Sequence, residues 1–276
     1  MIPHIVIGAG LAGLTVARAL KAPIIEKSKG LGGRLATRRV GEEKFDHGLS
    51  FWPDTIEAQK LNHGSYVTEG MTSLAKSLAS ELNINRDNRV LKLEQIQSGW
   101  RLQTQTGLIE TQNVILTAPM PQALELIAQS DLAINPNWQI HYHKALIGLY
   151  RLDLKMSDKN FNFQDHQVIL QKDKKLCSDG VVLMSSSSFA DEHFEKSDAE
   201  ILEQLNLVLF AALGNRTLKH AEVKKWRYST PKSCHEFPYL EPYPGLFLIG
   251  DAFLYPGVEG ALLSAQTLVR EKFRVL

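Results

Sequence analysis

A strand, glycine turn, helix and second strand at the N-terminus constrain the fold of this chain more than any other feature. An apolar run at residues 5–7 stops at the string GAGLAG, residues 8–13. A helical stretch follows at residues 14–20, and a second apolar strand, residues 23–25, ends on Glu26. This order is that of a Rossmann-like dinucleotide-binding unit and predicts an α/β fold.

The glycines of this string have separate predicted roles. Gly8 permits the tight turn, and Gly13 lets the helix pack closely on the strand. Gly10 lets the backbone approach the pyrophosphate of a dinucleotide. The first helical residues, Leu11 and Ala12, belong to a helix end that offers free N–H groups and partial positive charge to phosphates. The alternative is a glycine turn that binds no ligand.

An acidic residue ends the second strand at the spacing that a ribose contact requires. Glu26 lies 18 residues after Gly8, where a carboxylate can accept hydrogen bonds from both ribose hydroxyls. The same carboxylate would repel a 2′-phosphate. The sequence therefore favours a dinucleotide without that phosphate.

A second glycine cluster, GLGGR at residues 30–34, indicates which dinucleotide binds. Gly33 adds exposed backbone N–H groups, and Arg34 adds a permanently charged guanidinium suited to a pyrophosphate. The alternative is an ordinary glycine-rich loop with a solvated arginine. Two phosphate-type loops in one βαβ unit favour FAD.

Three motifs carry a resemblance to a known family. Glu26-Lys27, the string GGRLATRR at residues 32–39 and the string FDHG at residues 45–48 resemble the FAD-binding start of the amine-oxidase-like flavoproteins, and in particular their renalase branch. The resemblance implies that Lys27, His47 and Gly48 belong to the FAD site.

The C-terminal segment resembles the closing motif of the same flavoproteins. A buried strand at residues 246–249 ends at Gly250-Asp251, and the string PGVEGA, residues 256–261, opens an apolar helix that runs to about residue 273. The resemblance implies that Asp251 binds a ribityl hydroxyl. It also implies that the helix start, with Val258 and Glu259, faces the pyrimidine side of the flavin. The alternative is a plain core strand and helix.

The middle of the chain predicts mostly β-structure. The pattern favours strands at residues 89–96, 100–106, 108–111, 113–116, 146–154, 167–170 and 181–185, and helices at 72–82, 122–129 and 198–213. Thr72 is the expected N-cap of the first helix. Residues 51–67 are expected to be irregular. The resemblance places the backbone of Val90 against the adenine.

These elements predict an α/β (α+β) fold with two interleaved domains. A Rossmann-like FAD-binding domain takes residues 1–120 and 231–276, and a β-sheet substrate domain takes residues 121–230. With 276 residues, 44% of them hydrophobic, the chain is long enough for this arrangement.

Composition argues against several function classes. The net charge of +1 predicts no nucleic-acid partner and no attraction to an acidic membrane. No apolar run approaches the roughly 18 residues of a membrane helix. Cys177 and Cys234 lack metal-type spacing, which fits a reducing, cytoplasmic setting. Neither lies in a flavin-attachment context, so FAD is expected to bind noncovalently.

The sequence leaves the catalytic residues unknown. His47 is the nearest candidate, although a histidine in such a turn is more often a structural hydrogen-bonding residue. The segment Trp226-Arg227-Tyr228 resembles a renalase-like segment beside the flavin, with ordinary strand packing as the alternative. His141 and His143 share one side of a strand but have no carboxylate or cysteine partner nearby in sequence, so no metal site is predicted.

The resemblance implies an oxidase that takes a hydride from a small reduced substrate, a dihydronicotinamide isomer. Electrons would pass to molecular oxygen and give hydrogen peroxide. An FAD-dependent amine oxidase is the alternative enzyme, since the resemblance is shared. A binding module that keeps FAD as a structural element is the alternative outside enzymes.

Overall fold

The computed structural model describes residues 1–53, 69–155 and 158–274. The stretch predicted to be irregular, residues 51–67, lies almost entirely outside the described residues. None of the helices formed by the described residues is long and apolar enough to cross a bilayer.

An eight-stranded sheet contains the N-terminal unit. Its main path runs β14-β15-β8-β1-β2-β5, and the hairpin of β6 and β7 extends from β8. The bounds are Ile2–Ile7 for β1, Ile24–Ile25 for β2, Ile84–Asn85 for β5, Val90–Ile96 for β6, Gly99–Thr104 for β7, Gly107–Leu116 for β8, Leu240–Tyr243 for β14 and Leu246–Leu248 for β15. β1 pairs in parallel with β2 and β8 at the centre of the sheet, as a dinucleotide-binding fold requires.

Two helices pack together on this sheet. Helix α1 spans Leu11–Leu20, and the C-terminal helix, α6, spans Val258–Leu268 and continues as a π-helical turn, Val269–Phe273. Leu14 of α1 and Leu262 of α6 are both fully buried in one apolar cluster with Val6 of β1. The C-terminal element thus returns to the N-terminal one.

Strand β8 corrects one prediction. The segments 108–111 and 113–116 were expected to be separate strands, but β8 is continuous across them. Its first half pairs with β7 and its second half with β1. Because the two halves of β8 pair with different strands, the sequence pattern predicts two short strands where the structure has one.

A five-stranded sheet forms the second layer, in the order β10-β11-β12-β9-β13. Its strands are Tyr142–Leu152 (β9), Phe161–Phe163 (β10), His166–Leu170 (β11), Gly180–Met184 (β12) and Leu218–Pro231 (β13). Three further helices are α3, Met120–Gln129, α4, Ser187–His193, and α5, Asp198–Leu213. The domain boundaries given above stay a prediction.

The two faces of β9 have different neighbours. Leu146 and Tyr150 pack against α5 residues such as Leu205, whereas Ala145 and Ile147 pack toward Phe45 and Trp226. Side chains alternate across a strand, so one face of the sheet is covered by α5 and the other turns toward the N-terminal half of the chain.

Phe45 belongs to a hairpin that the sequence pattern did not predict. β3 (Thr37–Val40) pairs with β4 (Glu43–Asp46). The hairpin carries charged residues at most of its outward positions, so it lacks the apolar alternation on which strand prediction depends.

Helix α2, Met71–Leu78, corrects a second prediction. Its N-cap is Gly70 and not Thr72. The Thr72 hydroxyl instead donates to Leu35 O at 3.0 Å and accepts from Thr37 N at 2.8 Å. The Thr72 side chain, which the local pattern assigns to the N-cap of the helix, is therefore engaged in tertiary contacts to β3.

Helix α5 begins and ends as its sequence predicts. Ser197 and Glu200 form a reciprocal capping box, and Gly214 occupies the position after the last helical residue. Both signals are local, and the capping box satisfies backbone N–H groups that the helix leaves free at its start.

Candidate cofactor-binding and active site

The glycine turn after β1 is packed too tightly for any side chain at two positions. A Cβ on Gly8 would lie 2.6 Å from Thr117 Oγ1, and its φ is +106°. A Cβ on Gly13 would lie 2.0 Å from Gly8 O. Close packing of α1 on β1 therefore requires glycine at both positions.

The start of α1 faces open space. A Cβ on Gly10 would meet no atom within 4 Å, and the helix has neither a side-chain cap nor an acidic residue in its first turn. The first N–H groups of a helix have no acceptor inside the helix itself. A phosphate group is the acceptor that such a helix start binds best.

The second glycine cluster lies beside the first. Gly32 N donates to Ala9 O at 2.8 Å, and a Cβ on Gly33 would lie 3.5 Å from Gly10 Cα. The structure thus brings both phosphate-type loops to one edge of the sheet. The two adjacent loops leave backbone exposed along a line that suits a pyrophosphate.

Glu26 lies on the other side of the sheet edge that carries the two glycine loops. Its Oε2 accepts from Ala9 N and its Oε1 from Ser28 N, both at 2.7 Å. These bonds fix the carboxylate at the end of β2, and each oxygen keeps lone pairs for a hydroxyl donor. The neighbouring Lys27 Nζ contacts Gln122 Oε1 at 2.9 Å, and burial lowers the pKa of Lys27.

Arg34 and Asp251 form an ion pair at the centre of the site. Arg34 Nη1 lies 2.5 Å from Asp251 Oδ2 and donates to Ser229 O at 2.8 Å. Burial opposes the charged form of Arg34, but the Asp251 carboxylate outweighs burial and raises the pKa of Arg34. Residues predicted to touch different parts of FAD thus touch each other.

An irregularity in β13 explains the carbonyl contacts of Arg34. The pairing of β13 with β9 shifts register between Trp226 and Thr230. Such a bulge re-aims backbone groups, and here Tyr228 O and Ser229 O both face Arg34 Nη1. The five-stranded sheet therefore takes part in holding the guanidinium.

Tyr142 is a site residue that sequence reasoning missed. Its hydroxyl donates to Asp251 Oδ1 at 3.1 Å, and its ring meets Tyr228 edge to face with 5.7 Å between ring centres. Burial raises the pKa of Tyr142, so the phenol keeps its proton and remains a donor. No local pattern signals this contact, because Tyr142 and Asp251 are 109 residues apart.

The turn after β4 rests on the backbone of Arg34. A Cβ on Gly48 would lie 2.0 Å from Arg34 O, and Leu49 N donates to the same oxygen at 2.7 Å. Glycine at position 48 is therefore a packing requirement. The turn is therefore fixed to the backbone of Arg34, from which the guanidinium extends.

His47 in this turn stacks on Trp226. The ring centres are 5.6 Å apart at an interplanar angle of 26°, and Trp226 Nε1 donates to His47 O at 2.8 Å. Burial, reinforced by the Lys224 charge, lowers the pKa of His47 to about 4. The imidazole is therefore neutral at physiological pH. Its Nδ1 is buried and has no partner among the described residues.

The C-terminal motif ties the Gly250-Asp251 turn to helix α6. Gly250 N donates to Ser264 Oγ at 3.1 Å, which fixes the Gly250-Asp251 turn on α6. Gly257 has a φ of +78°, and a Cβ there would meet no atom within 4 Å. Helix α6 begins at Val258, and Glu259 in its first turn has a buried Oε2 without a partner among the described residues.

The structure joins most of the predicted cofactor residues. Both glycine loops, Glu26, Arg34 and Asp251 form one connected set, and the turn at residues 47–48 packs on it. Val90 is buried at the start of β6. Open space at Gly10 and Gly257 and helix starts without side-chain caps fit a dinucleotide that carries a flavin.

Two family profiles match the chain. Residues 6–63 match the NAD(P)-binding Rossmann-like domain, and residues 49–271 match the flavin containing amine oxidoreductase family. The second match covers well over half of the 276 residues.

Solved structures share the fold at low sequence identity. A putative protoporphyrinogen oxidase from Exiguobacterium sp. 255-15 aligns with a TM-score of 0.74 and 14% identity over 98% of each chain. Cyclohexylamine oxidase from Brevibacterium oxydans IH-35A aligns at 0.70 and 11% over 96% of this chain and 97% of that one. A fatty acid isomerase from P. acnes aligns at 0.69 and 11% over 98% and 99%.

Proposed function

Since the chain belongs to the flavin containing amine oxidoreductase family and uses FAD, we propose that it oxidises a dihydronicotinamide isomer. The donor loses two electrons and one proton as a hydride and becomes a pyridinium. FAD, when bound, supplies the two-electron acceptor and returns the electrons to molecular oxygen. Oxygen takes them up with two protons, one brought by the hydride and one from solvent, and leaves as hydrogen peroxide.

The stacked pair of His47 and Trp226 carries this proposal. Hydride transfer from a dihydronicotinamide needs a flat surface for the ring and no base, whereas amine or alcohol oxidation must also move a proton. A pKa of about 4 makes His47 a weak base. Trp226 stacks on His47, packs against Ala145 and Ile147 and is half-buried, and we assign the exposed part of its ring to the donor. The pair is thus suited to orient a ring and poorly suited to deprotonate an amine.

The proposed path of FAD follows the connected set of residues. Its adenosine ribose lies against Glu26, its pyrophosphate between Gly10, Gly33 and Arg34, and its ribityl chain against Asp251. The remaining proposed contacts come from the turns at Lys27, His47, Gly48 and Gly250, from the backbone of Val90, and from the helix start at Val258 and Glu259.

Replacement of single residues tests this path. Glu26→Ala removes two charge-assisted contacts, and Arg34→Ala removes the guanidinium, each at a cost of about 1.5–3 kcal/mol. Titration by flavin fluorescence should show a rise in the Kd for FAD of about tenfold or more. Glu42→Ala, at an exposed position in the β3–β4 turn, is the control and should bind FAD normally. Parent-like affinity in both site variants would refute the path.

A donor screen tests the activity. The FAD-loaded protein is mixed anaerobically with dihydronicotinamide isomers, primary amines and amino acids, and the oxidised flavin band is followed. We expect bleaching by a dihydronicotinamide isomer and, in air, one peroxide for each donor consumed. Trp226→Leu should raise the KM for that donor about three- to tenfold, the loss of one stacking contact. Trp138→Leu is the control variant, and its KM for that donor should equal the KM of the parent.

An amine oxidase is the second candidate function, because one solved structure with the same fold is a cyclohexylamine oxidase. Bleaching by amines alone would establish it and refute the dihydronicotinamide proposal. Bleaching by none of the donors, without peroxide, would favour a module that binds FAD for structure.

A further inference from the structure

A buried ion pair joins the β3–β4 hairpin to a segment between two strands of the five-stranded sheet. Lys174 lies at the end of a one-turn helix, Gln171–Lys174, between β11 and β12. Its ammonium group pairs with the carboxylate of Asp46, the last residue of β4. The two residues are only 5% and 0% exposed. A buried charge persists only when it is paired and hydrogen-bonded, so this pair constrains both segments.

The polar groups around the pair are satisfied by separate parts of the chain. Asp46 Oδ1 accepts from Thr37 Oγ1 at 2.6 Å and from Met71 N at 2.9 Å. Lys174 Nζ donates to Ser50 O at 2.5 Å. The pair therefore holds both ends of the turn at residues 46–50 and also the start of α2.

The five-stranded sheet contacts this turn at a third point. Trp226 Nε1 donates to His47 O, and the underside of the turn rests on Arg34 through Gly48 and Leu49. A shift of the turn therefore changes the support of the guanidinium that pairs with Asp251. The ammonium of Lys174 contacts the turn at Asp46 and Ser50, so its effect on Arg34 passes through the turn.

We infer that Lys174 is a positioning residue, which holds the turn at residues 46–50 on Arg34 and so sets the affinity of the site for FAD. This inference rests on the FAD path proposed above. Under this inference, the five-stranded sheet contributes to FAD affinity through the turn, without a contact of its own with the cofactor.

Paired substitutions separate positioning from stability. Lys174→Met leaves the Asp46 carboxylate buried without its partner, which destabilises a fold strongly. The double variant Asp46→Asn with Lys174→Met removes both charges, and such replacements are often neutral for stability. It still lacks the bond to Ser50 O. Arg216 and Asp158, an ion pair 3.2 Å long whose side chains are 8% and 12% exposed, provide the matched control as Arg216→Met with Asp158→Asn.

The thermal midpoint and the Kd for FAD, the latter by fluorescence titration, are measured on the FAD-free proteins, and the midpoint potential of the bound flavin is measured after FAD is added back. We expect the double variant to regain the parent's thermal midpoint while its Kd for FAD stays at least tenfold higher. The control double variant should keep the parent's Kd for FAD and the parent's flavin potential, whether or not its own thermal midpoint changes.

Recovery of the Kd together with the thermal midpoint in the double variant would overturn the inference, as would an equal loss of affinity in the control. Normal FAD affinity in the Lys174 variants together with weak affinity in Arg34→Ala would overturn the inference alone. Normal affinity in Arg34→Ala as well would overturn the proposed path.

Discussion

The ion pair of Arg34 and Asp251 connects the N-terminal and C-terminal motifs of the chain at the site. Their motifs predicted that both side chains serve the cofactor, because glycine strings, a guanidinium and a carboxylate have characteristic chemistry. Nothing local indicates that the two groups bind each other across 217 residues of chain. The same limit hid Tyr142 and Lys174, whose polar partners lie on other elements.

The pKa of His47 leads to a prediction about acid stability. In the folded protein it is about 4, below the ordinary value of 6.5. Between these pH values the unfolded chain binds a proton at this position and the folded protein does not. Stability should therefore fall as the pH drops through this window, by at most about 3 kcal/mol from this group.

Thermal unfolding between pH 7 and pH 4.5 measures this effect. His47→Gln cannot titrate, so its thermal midpoint should fall less than that of the parent over the same range. His141→Gln, at an exposed histidine, should follow the parent. Parallel curves for the parent and His47→Gln would show that the imidazole titrates normally in the folded protein.

Elements whose limits are set by local chemistry match their sequence predictions best. Helix α5 has a capping box and a terminal glycine, and its bounds agree with the prediction to the residue. Helix α2 and strand β8 differ from theirs, since Thr72 is taken up by β3 and β8 changes partners along its length. Local signals fail where contacts from distant segments compete for the same groups.

The start of helix α6 is the element for which we predict a redox effect. Gly257 precedes Val258 with a φ of +78° and a ψ of −137°, a conformation close to the glycine-only region that costs a residue with a side chain about 1–3 kcal/mol. Gly257→Val should turn the first N–H groups of the helix away from the flavin. A helix end is worth up to about 2 kcal/mol to a nearby negative charge, which for two electrons corresponds to about 40 mV.

Spectroelectrochemical titration measures the midpoint potential of the bound flavin in this variant. We expect a lower potential, slower reduction and a smaller change in FAD affinity. Gly214→Val carries the same backbone strain at a φ of +74°, at the far end of α5, and should leave the potential unchanged. Equal potentials in the parent and Gly257→Val would remove the helix start from the mechanism.

The arrangement of the whole chain follows from which segments meet at one edge of the eight-stranded sheet. Residues from both ends of the chain supply that edge, and the five-stranded sheet supplies Tyr142, Trp226 and the carbonyls of β13. The sequence predicted two interleaved units from the return of the C-terminal motif. It could not predict which strand of the second sheet faces the site, because side-chain alternation does not say which face a neighbouring layer covers.

A site assembled from distant segments predicts that FAD stabilises the entire fold. A ligand that binds only the folded state adds about 2.7 kcal/mol at a concentration one hundred times its Kd. For a chain of this length that corresponds to about 5–10 °C in the thermal midpoint. The protein should release FAD into a yellow supernatant on acid precipitation, because we expect no covalent bond, and the FAD-free protein should regain the difference in midpoint when FAD is added back.

FMN distinguishes a dinucleotide site from a flavin site. It carries the flavin and one phosphate but leaves Glu26 and the adenosine end without a ligand, so it should raise the thermal midpoint by much less than FAD. The same comparison in Glu26→Ala should narrow the gap between the two ligands, since the contact that separates them is gone. Colour that stays with the precipitate would instead indicate a covalent bond, and a protein that takes up no FAD would refute the assignment of this edge to the cofactor.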